Sequence, residues 1–171
     1  LAELAATLLG RPARQLRVAG VTGTDGKTTT THMASHLLEA AGIRTGSMST
    51  VAFQVGAATD HNESGQTTIE APDLQAWLAR MAAEKIDQVV LEVTSHALVQ
   101  ERVGACDFDS VAVTYVGRDH LDDHSSWGEY VAAKARLIDL CAGGAAKGVA
   151  KTAILNLDDA SYELLSSRPI E

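Results

Sequence analysis

A glycine-rich turn between a short apolar strand and a helix is the feature that most constrains the fold of this chain. Residues 20–30 read GVTGTDGKTTT, so that Gly20, Gly23 and Gly26 precede Lys27 and Thr28. The backbone N–H groups of such a turn converge on one point, the helix adds the positive end of its dipole, and the lysine supplies a mobile cation. The segment therefore predicts a phosphate-binding loop that favours a nucleoside triphosphate with Mg²⁺.

The loop is a variant of the usual pattern G-x-x-x-x-G-K-[ST], because Val21 occupies the first glycine position. One alternative is that the glycines only permit positive φ in a tight turn, with Lys27 a solvated residue of the first helical turn. A lysine at a helix N-terminus faces an unfavourable dipole unless an anion binds there. Phosphate binding therefore explains Lys27 better.

Composition limits the class of protein and its partners. The 171 residues are 46% hydrophobic and 21% charged, which suits one globular domain with an ordinary core. The formal net charge of -8 disfavours a nucleic-acid partner. Cys106 and Cys141 are expected to be buried thiols in a reducing compartment. No apolar run approaches the ~20 residues that cross a bilayer, and no signal peptide is evident, so we expect a cytoplasmic location without a membrane span.

Strand and helix patterns alternate along the chain. Short β-branched runs predict strands, each buried on both faces, at residues 17–22, 88–94, 110–115 and 152–157. Helices are predicted at residues 28–41, 72–85 and 127–141, with Met33, Leu37 and Leu38 at core spacing, and residues 48–66 predict a hairpin or a mobile loop. Residues 1–9 also have helical apolar spacing. This order predicts a three-layer α/β fold, a mostly parallel sheet flanked by helices, with ligands at the carboxyl ends of the strands.

Glu92 lies in an otherwise apolar strand, VVLEVTSH, at residues 89–96. Burying a carboxylate there costs several kcal/mol unless a cation or hydrogen-bond donors compensate. With Thr28 as the hydroxyl of the loop, Glu92 offers the two protein contacts that Mg²⁺ on a nucleotide commonly needs. The alternative is a carboxylate that local backbone N–H groups satisfy.

Two further features follow the strand at residues 110–115. Residues 118–124 read RDHLDDH, which is either a metal and phosphate shell at a strand end or a solvated loop. Lys134 has small and apolar neighbours, which suggests a face packed against the sheet, although a snorkelling surface lysine is the simpler alternative. Neither feature decides a function alone.

Five segments together resemble the central ATPase domain of the Mur ligases. They are residues 23–29 (GTDGKTT), 67–68 (TT), 91–98 (LEVTSHAL), 118–122 (RDHLD) and 132–136 (AAKAR). Residues 92–103 look most like the members that add the third residue of the peptidoglycan stem. The resemblance implies a fold of the P-loop NTPase type, with residues 1–16 the tail of an upstream domain or a linker. Residues 17–171 would be the central ATP-binding domain, truncated at its C-terminal end.

The resemblance also implies roles for the matching residues. ATP would be bound by Gly23, Thr24, Asp25, Gly26, Lys27, Thr28 and Thr29. Thr28 and Glu92 would hold a first Mg²⁺, His120 would help to hold a second, and Lys134 would be carbamylated by CO₂ to support the metal site. Lys27, Lys134 and His120 would be the catalytic residues. The UDP-muramoyl peptide would contact Thr67, Thr68, Thr94, Ser95, Gln100 and Arg102.

The reaction implied by the resemblance is ATP-driven amide formation between the carboxylate of a UDP-N-acetylmuramoyl peptide and an amino acid amine, through an acyl phosphate. Two alternatives remain open: a folylpolyglutamate-synthetase-like or polyglutamate-forming ligase, and a non-catalytic ATP-binding module. The chain departs from the family pattern at Asp25, where Asn is usual, at Ile69, where Pro is usual, and at residues 115–117 (YVG). Asp25 would place a negative charge beside the phosphates.

Overall fold

The computed structural model describes residues 1–117 and 126–170. The chain begins with helix α1 and a 3-10 turn, and then alternates strands with helices. The strands are β1 (Arg17–Thr22), β2 (Thr45–Met48), β3 (Ala52–Val55), β4 (Ala58–His61), β5 (Gln88–Glu92), β6 (Ser110–Val113) and β7 (Thr152–Leu155). The helices are α1 (Ala2–Leu8), α2 (Lys27–Ala40), α3 (Ala71–Ala83), α4 (Ser95–Val99), α5 (Trp127–Ala142) and α6 (Tyr162–Ser166).

The seven strands form one sheet in the order β4-β3-β2-β5-β1-β6-β7. The five strands from β2 to β7 in that order are parallel, and β3 and β4 extend the sheet as an antiparallel hairpin. β1 is the middle one of these five parallel strands: its Arg17 pairs with Gln88 of β5, and its Ala19 pairs with Ser110 of β6. The predicted α/β class, the four predicted strands, the three predicted helices and the hairpin are confirmed.

Close packing of helices on the sheet explains two of the glycines. A Cβ at Gly20 would lie 2.9 Å from the Phe108 ring, and one at Gly46 would lie 2.9 Å from the Met81 sulfur of α3. Helix α2 packs against β1, β2 and β5 on small side chains, with Thr31 and Ser35 as its buried residues. Cys106 and Cys141 are buried free thiols, as predicted. None of the helices in the described ranges is long and apolar enough to span a membrane.

Two packing predictions are wrong. Met33 and Leu37, predicted to be in the core, are 60% and 65% exposed, because the small residues of α2 face the sheet instead. The strand at residues 152–157 is not buried on both faces, since β7 is the edge of the sheet and leaves Ile154 60% exposed. Residues 1–9, whose spacing is helical, do form helix α1, whose leucines are exposed and whose alanines Ala2 and Ala6 pack against Ala71.

The parallel arrangement gathers the polar segments at one edge. β1, β2, β5 and β6 all end at the same side of the sheet, since parallel strands share a direction. The phosphate loop follows β1, Thr50 follows β2, Thr94 follows β5 and Tyr115 follows β6. This edge is therefore where a ligand is expected.

Candidate active site

The glycine-rich loop turns sharply against the end of β6. Gly23 has φ +152°, and a Cβ there would lie 2.0 Å from the Thr114 hydroxyl, so only glycine fits. Thr24 N–H donates to the Tyr115 carbonyl at 2.6 Å. Gly26 is left-handed, with φ +81°, and no side chain of the described residues caps α2, which begins at Lys27. The first-turn amides of α2 therefore point at the site where a phosphate would bind.

Lys27 and Lys134 meet at this loop from two different helices. The Lys27 Nζ donates to the carbonyl oxygens of Gly23 and Thr24 at 3.1 and 2.8 Å. The Lys134 Nζ also donates to the Gly23 carbonyl oxygen, at 2.9 Å. The sequence-predicted pair of lysines is thus brought to one backbone oxygen.

Lys134 is a buried amine, and the interpretation as a snorkelling surface lysine is wrong. The residue is 1% exposed, and its Nζ lies 4.2 Å from the centre of the Tyr130 ring. Burial, and secondarily the positive charge of Lys27, lowers the pKa of Lys134 from 10.5 to about 7. A substantial fraction of Lys134 is therefore a neutral, nucleophilic amine at neutral pH.

Glu92 and Thr28 are in direct contact. The Thr28 hydroxyl lies 3.0 Å from both carboxylate oxygens of Glu92, which is 3% exposed. The Thr50 N–H donates to Glu92 Oε2 at 3.0 Å, and the Thr50 hydroxyl lies 3.2 Å from both oxygens. The Glu92 carboxylate thus contacts two threonine hydroxyls and one backbone N–H. The alternative from the sequence, a carboxylate satisfied by backbone N–H groups alone, does not describe these contacts.

These groups also fit a hard divalent cation. A carboxylate and a threonine hydroxyl at the end of a phosphate loop are the oxygen donors that Mg²⁺ accepts together with phosphate oxygens. Within residues 1–117 and 126–170, no group of three His, Cys, Asp or Glu side chains could hold a metal alone. His120 and the rest of the RDHLDDH cluster lie outside the described residues.

The predicted substrate threonines lie beside Glu92. Thr67 Oγ1 is 3.0 Å from the Thr50 hydroxyl, and the Thr68 hydroxyl donates to the Glu92 carbonyl at 2.9 Å. Thr94 N–H donates in turn to the Thr68 hydroxyl at 3.1 Å. The segment at residues 67–68 is thus fixed against the end of β5, next to the groups that contact Glu92.

Arg102 contacts residues 66–70 through its guanidinium. Its guanidinium donates to the Thr68 carbonyl at 2.8 Å and to Gln66 Oε1 at 3.0 Å, and it pairs with Glu70 at 2.9 Å. Gln100 and Arg102 line a cleft of about 530 Å³ between α1, α4 and α5. Ser95, also predicted to bind substrate, is 7% exposed in the first turn of α4. Arg102 has a structural role whether or not it also touches substrate.

Sequence reasoning missed three residues of the site. Thr50 contacts Glu92, Thr114 donates its hydroxyl proton to the Asp25 carbonyl at 2.6 Å, and the Tyr130 hydroxyl lies 3.1 Å from Thr24 Oγ1. Thr114 follows the predicted strand β6 at this edge, so its position was a usable signal, whereas Thr50 follows β2 and had no such signal. β2 itself was not predicted, because its four residues, TGSM, are small and polar.

Comparison with known proteins identifies the class. A family model described as the Mur ligase middle domain matches residues 21–169. UDP-N-acetylmuramyl-tripeptide synthetases of Roseiflexus sp. and Deinococcus radiodurans are each 42% identical, over 99% and 93% of this chain. The chain spans 35% and 31% of those two relatives, about a third of their length.

Solved structures support the same assignment. A structure of a UDP-N-acetylmuramoyl-L-alanyl-D-glutamate–2,6-diaminopimelate ligase superposes with a TM-score of 0.73 at 32% identity, covering 88% of this chain and 28% of that one. A folylpolyglutamate synthase of Mycobacterium tuberculosis, solved with ADP, gives a TM-score of 0.70 at 17% identity, covering 97% of this chain and 43% of that one, so that likeness concerns the fold alone.

The fold and the loop define a P-loop type α/β domain with its site at the carboxyl edge of the sheet. The chain belongs to the Mur ligase family, as a middle domain of that family, and it is similar to the tripeptide synthetases within it.

Proposed function

We propose that this chain is the ATP-binding domain of an ATP-dependent amide ligase of peptidoglycan precursor synthesis, acting in the cytoplasm. The observation that carries the proposal is the position of Lys134, a buried amine whose Nζ donates to the Gly23 carbonyl in the phosphate loop. A simple nucleotide-binding module has no need for a second, desolvated lysine at this position. The similarity to tripeptide synthetases supports the choice of a ligase that extends a UDP-muramoyl dipeptide.

The nucleotide would bind along the loop from Gly23 to Thr29. Lys27 donates to two carbonyl oxygens of the loop, and it would exchange these contacts for oxygens of the β and γ phosphates. Thr28 and Glu92 would hold the first Mg²⁺, whose chemistry is to neutralise charge on the transferred phosphoryl group. His120 remains our proposed ligand for a second ion.

Lys134 would act as its carbamate. The Lys134 ammonium first loses one proton to solvent. The neutral amine then attacks the carbon of CO₂, an N–C bond forms as one C–O π bond opens, and a second proton leaves the nitrogen, so that the net change converts a cation into an anion. A pKa of about 7 supplies the neutral amine that this step requires. The new negative charge would face Lys27 across the Gly23 carbonyl and would support a divalent ion at the loop.

The reaction would have two displacements at this edge. The carboxylate oxygen of the UDP-muramoyl peptide attacks the γ-phosphorus of ATP and the bond to ADP breaks, which gives an acyl phosphate. The amine of the incoming amino acid then attacks the acyl carbon, loses a proton, and phosphate leaves. Lys27 would stabilise charge on the transferred group, and Thr67, Thr68, Thr94, Ser95, Gln100 and Arg102 would orient the peptide substrate.

The domain division is part of the proposal. Residues 17–171 would be the ATP-binding domain, and residues 1–16 would be the tail of an upstream domain or a linker. The 3-10 turn contributes buried Ala13 to the main core, and Leu16, which follows the turn, joins the same core. This tail is therefore packed against the domain that it precedes.

The experiment is a ligase assay on the complete protein that carries this chain. Phosphate release from ATP is measured with UDP-N-acetylmuramoyl-L-alanyl-D-glutamate and a panel of amino acids, and with tetrahydrofolate and glutamate as the rival substrates. We expect turnover only with the muramoyl dipeptide, and loss of turnover in both Lys27→Ala and Lys134→Ala. An unaffected Lys134→Ala variant, or turnover with the folate and glutamate alone, would refute the proposal.

A further inference from the structure

The turn after β7 reaches across to the segment that holds the phosphate loop. Asp159 lies in this turn and is 7% exposed. Its Oδ2 accepts from the Val116 N–H at 2.9 Å and its Oδ1 accepts from the Ser161 N–H at 2.7 Å. Asn156, at the start of the same turn, donates its side-chain amide to the Thr114 carbonyl at 3.0 Å.

Residues 114–117 form an extended segment whose successive residues bond to opposite sides. Thr114 and Val116 bond to side chains of the turn after β7. Tyr115 and Gly117 bond to Thr24 of the phosphate loop: the Tyr115 carbonyl accepts from the Thr24 N–H at 2.6 Å, and the Gly117 N–H donates to Thr24 Oγ1 at 3.0 Å. The main-chain groups of residues 114–117 therefore connect the turn after β7 to the phosphate loop, through three hydrogen bonds with side chains and one with the Thr24 N–H.

Thr24 also contacts residues on both helices that carry the two lysines. Its hydroxyl lies 3.1 Å from the Tyr130 hydroxyl, and the Tyr130 ring lies against the Lys134 Nζ. The Thr24 carbonyl accepts from Lys27. A shift of Thr24 would therefore move the contacts of both lysines at the Gly23 carbonyl.

We infer that Asp159 is a positioning residue for nucleotide binding, which acts through Val116 and Gly117 on Thr24. The inference rests on the proposed function of the loop but assigns a role to a residue outside it. An ionised carboxylate only accepts, so Asp159 fixes the direction of both N–H groups, and it does so from an element separate from the loop. Burial acts to raise the pKa of Asp159, but the hydrogen bonds from Ser161 and Val116 outweigh it, so the pKa is lowered and the group stays charged.

The test is binding of an ATP analogue, AMP-PNP with Mg²⁺, to the complete protein by calorimetry. Asp159→Asn keeps the shape but points an amide donor at one of the two N–H groups. We expect its Kd to rise about tenfold, the size that partial loss of a hydrogen bond to a charged group gives. Asp158→Asn is the matched control, because Asp158 is the exposed neighbour, and its Kd should equal that of the wild type.

A double-mutant cycle separates positioning from general loosening of the fold. Thr24→Val removes the acceptor of the Gly117 N–H, so if Asp159 acts through this path, Asp159→Asn should add little to the effect of Thr24→Val. Full additivity of the two effects, or a wild-type Kd in Asp159→Asn, overturns the inference. If Asp159→Asn does not fold, Asn156→Ala releases the same segment from an exposed position and should raise Kd in the same direction; an unchanged Kd there overturns the inference too.

The Trp127 indole gives a readout within the protein itself. Its N–H donates to the Val116 carbonyl at 3.3 Å, so its indole NMR resonance, assigned with Trp127→Phe, should shift in Asp159→Asn and not in Asp158→Asn. An unmoved resonance in Asp159→Asn contradicts the path. Failure of the wild type to bind AMP-PNP would instead contradict the proposed function, so the two failures are distinguishable.

Discussion

The Nζ atoms of Lys27 and Lys134 both donate to the carbonyl oxygen of Gly23, at 3.1 and 2.9 Å. Two ammonium groups on one oxygen repel each other, and the cheaper arrangement is for the more buried amine to lose its proton. Lys134 is the more buried of the two. At neutral pH the arrangement therefore holds a substantial fraction of Lys134 as a neutral amine beside the positive charge of Lys27.

The stability contribution of Lys134 should depend on pH. The pKa of Lys134 is lowered from 10.5 to about 7, so between these values the unfolded state binds more protons and stability rises with pH. Below pH 7 the full penalty of the buried charge applies. Between pH 7 and pH 10 in CO₂-free buffer, the wild type should gain stability as pH rises, whereas Lys134→Met should not gain this contribution. The thermal midpoint of the variant minus that of the wild type should therefore become smaller as pH rises. The exposed lysine variant Lys85→Met is the control, and a difference that stays flat for Lys134→Met would contradict the pKa shift.

Removal of the negative charge at Asp25 should tighten nucleotide binding. Asp25 is exposed within the phosphate loop, and it would lie beside the phosphates. Interactions between exposed charges are weak, so Asp25→Asn should lower the Kd for ADP with Mg²⁺ by about two- to fivefold in calorimetry. The gain should shrink at high ionic strength, since salt screens exposed charges. An equal or weaker affinity would show that the carboxylate does not face the phosphates.

The metal dependence of nucleotide binding should require Glu92. Glu92→Gln removes the charge that attracts a cation while it keeps the size of the side chain. The Kd for ADP should then respond much less to replacement of Mg²⁺ by EDTA than in the wild type, measured by calorimetry. Glu63→Gln, an exposed carboxylate after β4, should keep the full response. An intact Mg²⁺ response in Glu92→Gln would exclude Glu92 as a ligand.

Gly23→Ala should distort the phosphate loop. The added Cβ would meet the Thr114 hydroxyl at 2.0 Å, and φ of +152° is strained for any L side chain. We expect nucleotide binding to weaken by more than about tenfold, since the amides of the loop must shift. Gly148→Ala is a matched control, because it has positive φ with open space around it, and its nucleotide affinity should match the wild type. Wild-type affinity in Gly23→Ala would show that the loop adapts.

The sequence predicted the fold well wherever hydrophobic periodicity was strong. β1, β5, α2 and α5 all lie within about two residues of their predicted ends. β2 escaped prediction because its residues are small and polar and derive their strand conformation from pairing with β5 and β3. The prediction of which face of α2 packs on the sheet was also wrong. The helix lies close to the sheet, which favours the small side chains of Thr31 and Ser35 at the contact over Met33 and Leu37.

The candidate site was predictable only in its chemical outline. Lys27, Thr28, Glu92 and Lys134 stood out because their residue types are unusual for their local surroundings, and the structure brings them to one edge of the sheet. Thr50 did not stand out, since one threonine in a polar segment carries no signal. Its role follows from long-range pairing of β2 with β5, which places it against Glu92.

The position of β1 between two strands that come later in the sequence also affects how the chain acquires its structure during translation. β1 is made first among the strands, yet its two neighbours are β5 and β6, which begin at Gln88 and Ser110. Val18 and Val21 therefore lack their strand partners until β5 and β6 have been synthesised, and such non-local pairing slows folding and leaves an apolar strand exposed in the meantime. The nucleotide loop, attached to β1, is consequently made before the two strands that fix its working shape.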